Sequence, residues 1–296
     1  MRIGFVGIGD MGSGMAVNLV KKCGCEVTVC DRSEERLSNM LSQGAKTTTQ
    51  YSDLAAHDII FLCLPDSDIN NRICNGSNGL IAMMKKGQIL IDCGTSRYED
   101  TLKMAKDCAE RGIGFLDAPI SGHPHRAQSG ELSIMCGGDK DLFEKILPLF
   151  KCCGNTIEYM GEAGSGQLTK LINQLLYNVS CAAVAEIMPM AVKLGLDPAQ
   201  VTKVVNTGTG RSYASEYFLP KVLKGDFHGG LPMGQAYKDM KSIATIAAEK
   251  QIPLPVLAAA NTTYQTALIK GHGIYGKGAM IKVYEELLGV EFREEN

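Results

Sequence analysis

Apolar residues recur along this chain at two different periods, and the change of period divides it. In the first half, short apolar runs alternate with helical stripes. Arg2 to Val6 is a run that ends in Gly7-Ile8-Gly9-Asp10-Met11-Gly12. Met15, Ala16, Leu19 and Val20 follow at helical spacing, and Glu26 to Cys30 is the next run, closed by Asp31. Ser33 predicts a helix cap before residues 34–43, and Gly44 a stop. Residues 58–64 and 88–92 are near-continuous apolar runs, the mark of parallel strands covered on both faces. Residues 114–120 and 132–136 read as further strands, with a polar loop at 121–126 and a helix over 139–150.

From Gly164 onward the period is helical. Leu168, Leu171, Ile172, Leu175, Leu176 and Val179, then Ala182, Ala183, Ile187, Ala191 and Leu194, form one stripe closed by Gly195. A helix of that span is roughly 45 Å long at 1.5 Å per residue, enough to pass from one domain into another. Pro189 should kink it or mark a join. Asp197-Pro198 predicts the cap and first residue of the next helix, and 201–206, 212–223, 236–250, 255–270 and 278–288 are further candidates. An α/β half is therefore expected before an all-α half, with the long helix between them.

Composition narrows the function classes. The 30 basic and 32 acidic residues nearly cancel, which argues against nucleic acid and against an anionic membrane surface. No apolar run is expected to span a bilayer. The amino terminus enters a strand directly, so no signal peptide is expected and the compartment is expected to be the cytoplasm. The eleven cysteines include no C-x-x-C pair. They are expected as reduced thiols, with Cys30, Cys63, Cys93 and Cys136 packing as small apolar residues, and no metal site is expected.

The strand–glycine–helix–strand–acid order is a dinucleotide fingerprint. Gly7 permits the tight turn, Gly9 lets the backbone approach a pyrophosphate, and Gly12 lets the helix pack close. Ile8, Asp10 and Met11 complete the turn, whose helix start offers bare N–H groups to phosphate. Asp31 can accept from a ribose 2′-hydroxyl and points to NAD; Arg32 could instead hold the 2′-phosphate of NADP. Leu64 and Pro65 end a strand at the carboxyl edge, where ligands bind in such sheets. Thr95 leaves the same edge and is either a helix cap or a hydroxyl facing the nicotinamide. Ser121-Gly122 offers a hydroxyl and backbone N–H groups, a small anion nest. His123, His125 and Arg126 form either an ordinary exposed loop or a carboxylate site. Lys170, Asn173, Gln174 and Tyr177 share one helix face, either solvated or part of a site.

Four motifs in order resemble the β-hydroxyacid dehydrogenase family across essentially the whole chain. They are Phe5 to Leu19, Asp117-Ala118-Pro119-Ile120-Ser121-Gly122, Gly161-x-x-Gly164-x-Gly166-x-x-x-Lys170, and Lys238-Asp239. The resemblance implies a Rossmann-type domain over 1–163, an interdomain helix over 164–195 and an all-α domain over 196–296. It implies Lys170 as the catalytic lysine, Asn173 as its partner at the substrate, and Ser121 and Gly122 on the substrate carboxylate. Thr95, Lys238 and Asp239 would lie toward the cofactor, and the molecule would be a homodimer or homotetramer. Three departures add hydrogen-bonding capacity: His123 where a second glycine is usual, Gln174 where Asn is common, and Gln235 where an apolar residue is usual. They point to a substrate with a polar head, and the resemblance implies that it is a small 3-hydroxycarboxylate or its semialdehyde exchanging hydride with NAD(H). The rivals are an imine reductase, a 6-phosphogluconate-type decarboxylating dehydrogenase and a non-catalytic dinucleotide-binding protein.

Overall fold

A computed structural model describes residues 1–294. The chain forms two compact units, Met1–Lys170 and Leu171–Asn296. The first contains β1 (Arg2–Val6), α1 (Gly12–Lys22), β2 (Glu26–Cys30), α2 (Glu34–Ser42), β3 (Lys46–Thr48) and β4 (Ile59–Leu62). There follow α3 (Ser67–Cys74), α4 (Leu80–Met83), β5 (Ile89–Asp92), α5 (Tyr98–Glu110), β6 (Gly114–Asp117) and β7 (Ile120–Ser121). The unit ends with α6 (His123–Ser129), β8 (Leu132–Gly138), α7 (Lys140–Cys153) and β9 (Gly154–Gly161). The strands lie side by side as β3-β2-β1-β4-β5-β6-β8-β7, with β9 beside β8. From β3 to β6 every pairing is parallel; β8 runs antiparallel to β6 and β7.

The period-two geometry of a strand explains the continuous apolar runs. Ile3, Phe5, Val27, Val29, Ile59, Phe61, Ile89 and Ile91 point into one buried layer. Val6, Cys30, Ile60, Leu62 and Leu90 point into the layer on the opposite face. Phe61 stacks on Phe5 and takes Phe150 of α7 edge-on, with centroids 6.0 and 6.3 Å away.

The helix α8 (Ser165–Lys193) opens in the first unit and continues into the second, which holds α9 (Pro198–Thr207), α10 (Tyr213–Leu223), α11 (Met233–Glu249), α12 (Pro255–Ile269) and α13 (Ile281–Leu288). Asp197 caps α9 by accepting from the Gln200 backbone N–H at 2.6 Å, as Asp197-Pro198 predicted. One core, including Leu171, Cys181, Ala185, Met188, Phe218, Met240 and Tyr264, joins these helices.

Several expectations need correction. β3 and β9 were not foreseen: β3 is only three residues long, and β9 (GNTIEYMG) is half-exposed with only Ile157 and Tyr159 packed on the core, so the apolar signal of each is weak. The stretch from His123 is no loop but the helix α6, helped by Pro124 in its first turn, where the missing N–H costs nothing. Pro189 does not mark a join, because α8 continues through it. The apolar stripe of α8 is split. Leu171, Ala182 and Ala191 are buried, whereas Ile172, Leu176, Ile187 and Leu194 are exposed. The helix is apolar on two faces, so its periodicity could not say which one packs. By length and composition α8 would also reach across a bilayer, contrary to expectation. Gln167, Lys170 and Asn178 are buried along it, which suits a core helix.

Candidate functional site

The turn after β1 is built as its glycines suggested. Gly7 has φ of +91°, and a Cβ there would lie 2.5 Å from the Cys63 carbonyl oxygen. A Cβ on Gly12 would lie 2.1 Å from the Gly7 carbonyl oxygen, so close packing forces glycine there too. Gly9 is different: its nearest neighbour would be an Arg36 guanidinium nitrogen at 3.6 Å, leaving the backbone open. The start of α1 has neither an acidic residue nor a side-chain cap. Bare N–H groups at the positive end of a helix, with an approach cleared by Gly9, fit a dinucleotide pyrophosphate. Asp31 is fixed beside this turn, because its Oδ2 accepts from the Ile8 N–H and its Oδ1 from the Ser33 N–H, both at 2.9 Å. Arg32 is exposed. Sequence reasoning missed Arg36, which stands 3.7 Å from the Asp10 carboxylate on the same side.

Parallel register aligns the carboxyl ends of the strands. Val6 pairs with Cys30 and Leu62, Leu62 with Asp92, and Asp92 with Asp117. The β1 turn, Asp31, Leu64-Pro65 and Thr95 therefore leave one edge. Thr95 is not a cap, since α5 starts at Tyr98 with Arg97 preceding it, so that reading falls.

Two acids, Asp92 and Asp117, are buried at this edge, and neither had an expected role of its own. The Asp92 carboxylate accepts from Ser96 Oγ (2.7 Å), Asn70 Nδ2 (2.9 Å) and the Gly94 N–H (2.9 Å). Burial nevertheless raises it above the usual carboxylate range. Asp117 accepts from the Gly164 N–H at 2.7 Å and the Gln167 N–H at 2.9 Å. It thus caps α8 from a distant strand. Burial pushes its carboxyl up to about 6, with Asp92 adding to the rise. The signal that could have found both is an Asp closing an otherwise apolar strand.

The Gly161-x-x-Gly164-x-Gly166 motif now has a physical reason. Gly161 and Gly164 take φ of +118° and +91°. A Cβ on Gly166 would lie 2.4 Å from the Met135 carbonyl oxygen. The motif docks the first turn of α8 tightly on the sheet edge, and Lys170, one turn further, is buried at 7% exposure. Gln167, also missed, is wholly buried; it donates to the Gly94 carbonyl at 2.9 Å and accepts from the Ser96 N–H at 3.0 Å.

Ser121 ends β7, and Gly122 (φ +145°) leads into α6. His123 has φ of +61°, a left-handed backbone that suits glycine, and its ring stacks on that of His125 at 6.4 Å. Asn18 ties α6 to α1 by donating to the Ala127 and Gln128 carbonyls at 2.9 and 3.0 Å. Gly14 lets the two helices meet, since a Cβ there would lie 2.6 Å from the Ala127 backbone.

In the second unit Asn173 and Lys238 are exposed, while Gln174 donates to Asp239 Oδ2 at 3.3 Å. Two of the expected residues are thereby brought together. Gln235 is exposed on α11. A second lysine, Lys277, was not foreseen. It is buried, donates to Asn178 Oδ1 at 2.6 Å and lies 3.8 Å over the Tyr177 ring. Burial holds its ammonium below the usual lysine range.

Comparison with known proteins covers both halves. Residues 2–161 match the NAD binding domain of 6-phosphogluconate dehydrogenase, and residues 164–284 match the NAD-binding domain of NADP-dependent 3-hydroxyisobutyrate dehydrogenase. A 2-(hydroxymethyl)glutarate dehydrogenase of Eubacterium barkeri is 37% identical over 98% of this chain and 97% of its own. Among solved structures, a 3-hydroxyisobutyrate dehydrogenase of Salmonella typhimurium superposes with a TM-score of 0.87 at 26% identity, over 96% of this chain and 99% of that one. The Mycobacterium tuberculosis 3-hydroxyisobutyrate dehydrogenase, solved with L-serine, gives 0.83 at 25% identity, over 95% and 98%.

Proposed function

Because the chain belongs to the β-hydroxyacid dehydrogenase family, we propose that it oxidises a small 3-hydroxycarboxylate with a polar head group, or reduces the semialdehyde, with NAD as the hydride carrier. The observation that carries this reading is the buried Lys170 one turn beyond the anchored start of α8.

Lys170 takes the proton from the substrate hydroxyl in oxidation and returns it in reduction. As an ammonium it also steadies negative charge developing on that oxygen. Asn173 orients the hydroxyl. Ser121 and the backbone N–H groups at Gly122 hold the substrate carboxylate and place the reacting carbon. Thr95, Lys238 and Asp239 serve the cofactor end, and Gly7 to Gly12 with Leu64 and Pro65 line the dinucleotide. Asp31 favours NAD by disfavouring a 2′-phosphate, whereas Arg32 and Arg36 offer that phosphate two cations. His123 and Gln174 supply the polar contacts for the head group. Support for a β-hydroxy acid comes from the relatives, whose named substrates and bound L-serine share a hydroxymethyl group next to the carbon bearing the carboxylate.

The exposed apolar row Ile172, Leu176, Ile187, Met190 and Leu194 supports a homo-oligomer, a dimer or tetramer. The three-part division at 163/164 and 195/196 and a cytoplasmic location complete the reading.

The deciding experiment follows absorbance at 340 nm across hydroxyisobutyrate, hydroxymethylglutarate, glycerate, serine and their semialdehydes, each with both cofactors. Strong turnover of one polar acid with NAD is expected. Silence on every compound alongside measured NAD binding would overturn the reading.

A further inference from the structure

We propose that Gln167 is a positioning residue that locks the helix carrying Lys170 to the loop carrying Thr95, so that the proton-transferring group and the cofactor edge hold one geometry. The proposal rests on the roles given above to Lys170 and Thr95.

Gln167 is wholly buried, and both ends of its amide are used. Its Nε2 donates to the Gly94 carbonyl at 2.9 Å, and its Oε1 accepts from the Ser96 N–H at 3.0 Å. Thr95 is the residue between those two, so the amide grips the loop on either side of it. The loop is also held from behind. Asp92 accepts from the Gly94 N–H at 2.9 Å and from Ser96 Oγ at 2.7 Å, and Asn70 donates to both Asp92 and Ser96. On the helix side, the Gln167 backbone N–H donates to Asp117 Oδ2 at 2.9 Å, and Lys170 is three residues on, on the neighbouring turn.

The result is a continuous hydrogen-bonded path from β5 through the Thr95 loop to α8. An apolar side chain of the same length could fill the space but would leave the Gly94 carbonyl and the Ser96 N–H without partners. A shift of about 1 Å in a reacting geometry can cost on the order of 100-fold in rate. A link at this point is therefore expected to act on turnover more than on binding.

The test uses the full chain with Gln167→Met, an apolar replacement of matching length. Turnover is expected to fall about 100-fold, while KM for the hydroxyacid and the equilibrium Kd for NAD move by less than about threefold. Amide hydrogen exchange, read without turnover, is expected to accelerate at 94–97 and at 165–170 together. Wild-type turnover, a fall matched by an equal loss of NAD affinity, or faster exchange in one segment alone would each overturn the proposal. Should Gln167→Met fail to fold, Gln167→Glu, which keeps the acceptor for Ser96, undergoes the same measurements with the same criteria. Lys170→Ala is assayed in parallel. Turnover by that variant would refute the catalytic reading itself, whereas an inert Lys170→Ala beside a fully active Gln167 variant would refute only the positioning role.

Discussion

Asp117 brings fold and chemistry together in one side chain. Its two hydrogen bonds pull its carboxyl down, but burial prevails and the group titrates near 6 rather than at its ordinary 3.8. The folded state therefore holds this proton more tightly than the unfolded chain. The stabilising contribution is complete below about pH 4 and is lost as pH rises through about 6, a span worth about 3 kcal/mol. The stability of wild type minus that of Asp117→Asn, from urea unfolding, is expected to fall by about that amount between pH 4 and pH 7. A flat difference would show that the carboxyl is not displaced. His123 makes the opposite kind of statement, because a β-carbon at φ of +61° is strained. His123→Gly is expected to raise stability by about 1 kcal/mol while narrowing the preference for polar over methyl-bearing substrates. Unchanged preference would remove His123 from the head-group site. For Lys170→Ala, turnover is expected to fall by orders of magnitude with NAD binding retained, measured by kinetics and by titration.

At the scale of elements, the start of α8 is defined by what it touches rather than by its own sequence. Its first turn is capped by Asp117, and Gly166 lies against the Met135 and Asp117 backbone. Gly166→Ala would force a Cβ to within 2.4 Å of a carbonyl oxygen, so the helix start must move. A loss of about 3 kcal/mol in stability is expected, with turnover falling further than stability. A fully active and stable variant would mean that this close approach is not needed. The pairing of α1 with α6 has a similar logic: Gly14 allows the approach and Asn18 satisfies the carbonyls at the end of α6. Both residues belong to the amino-terminal motif that carried the family resemblance, and only one of the motif's tasks, the glycine turn, is visible as a pattern.

For the whole molecule, the row of exposed apolar side chains on α8 is the feature that bears on the proposed assembly. Leu176 is 69% and Ile172 56% exposed. If the proposed oligomer covers this row, light scattering should find a dimer or tetramer for wild type. Leu176→Glu should then give a smaller species, because a carboxylate would have to be buried in the interface. An unchanged assembly would place the interface elsewhere.

Periodicity and glycine spacing determined much of this protein. The alternation of apolar runs and stripes gave the parallel strands, and the turn from Gly7 to Gly12 with Asp31 could be located because its constraints are local and steric. The later helices were legible because glycines and prolines punctuate their apolar stripes, with side-chain caps added at α9 and α10. Tertiary structure decided the remainder. Residues 46–48 are too short to mark a strand, and in 154–161 only Ile157 and Tyr159 alternate inward, a signal too brief to stand out before the sheet partners are in place. The buried face of α8 depended on its neighbours, because both faces are apolar. The tie between Asp117, Gln167 and the Thr95 loop joins residues 47 to 73 positions apart. A hydrogen bond across that separation leaves no period in the sequence, which is why the anchor of the candidate site emerged only once the chain was folded.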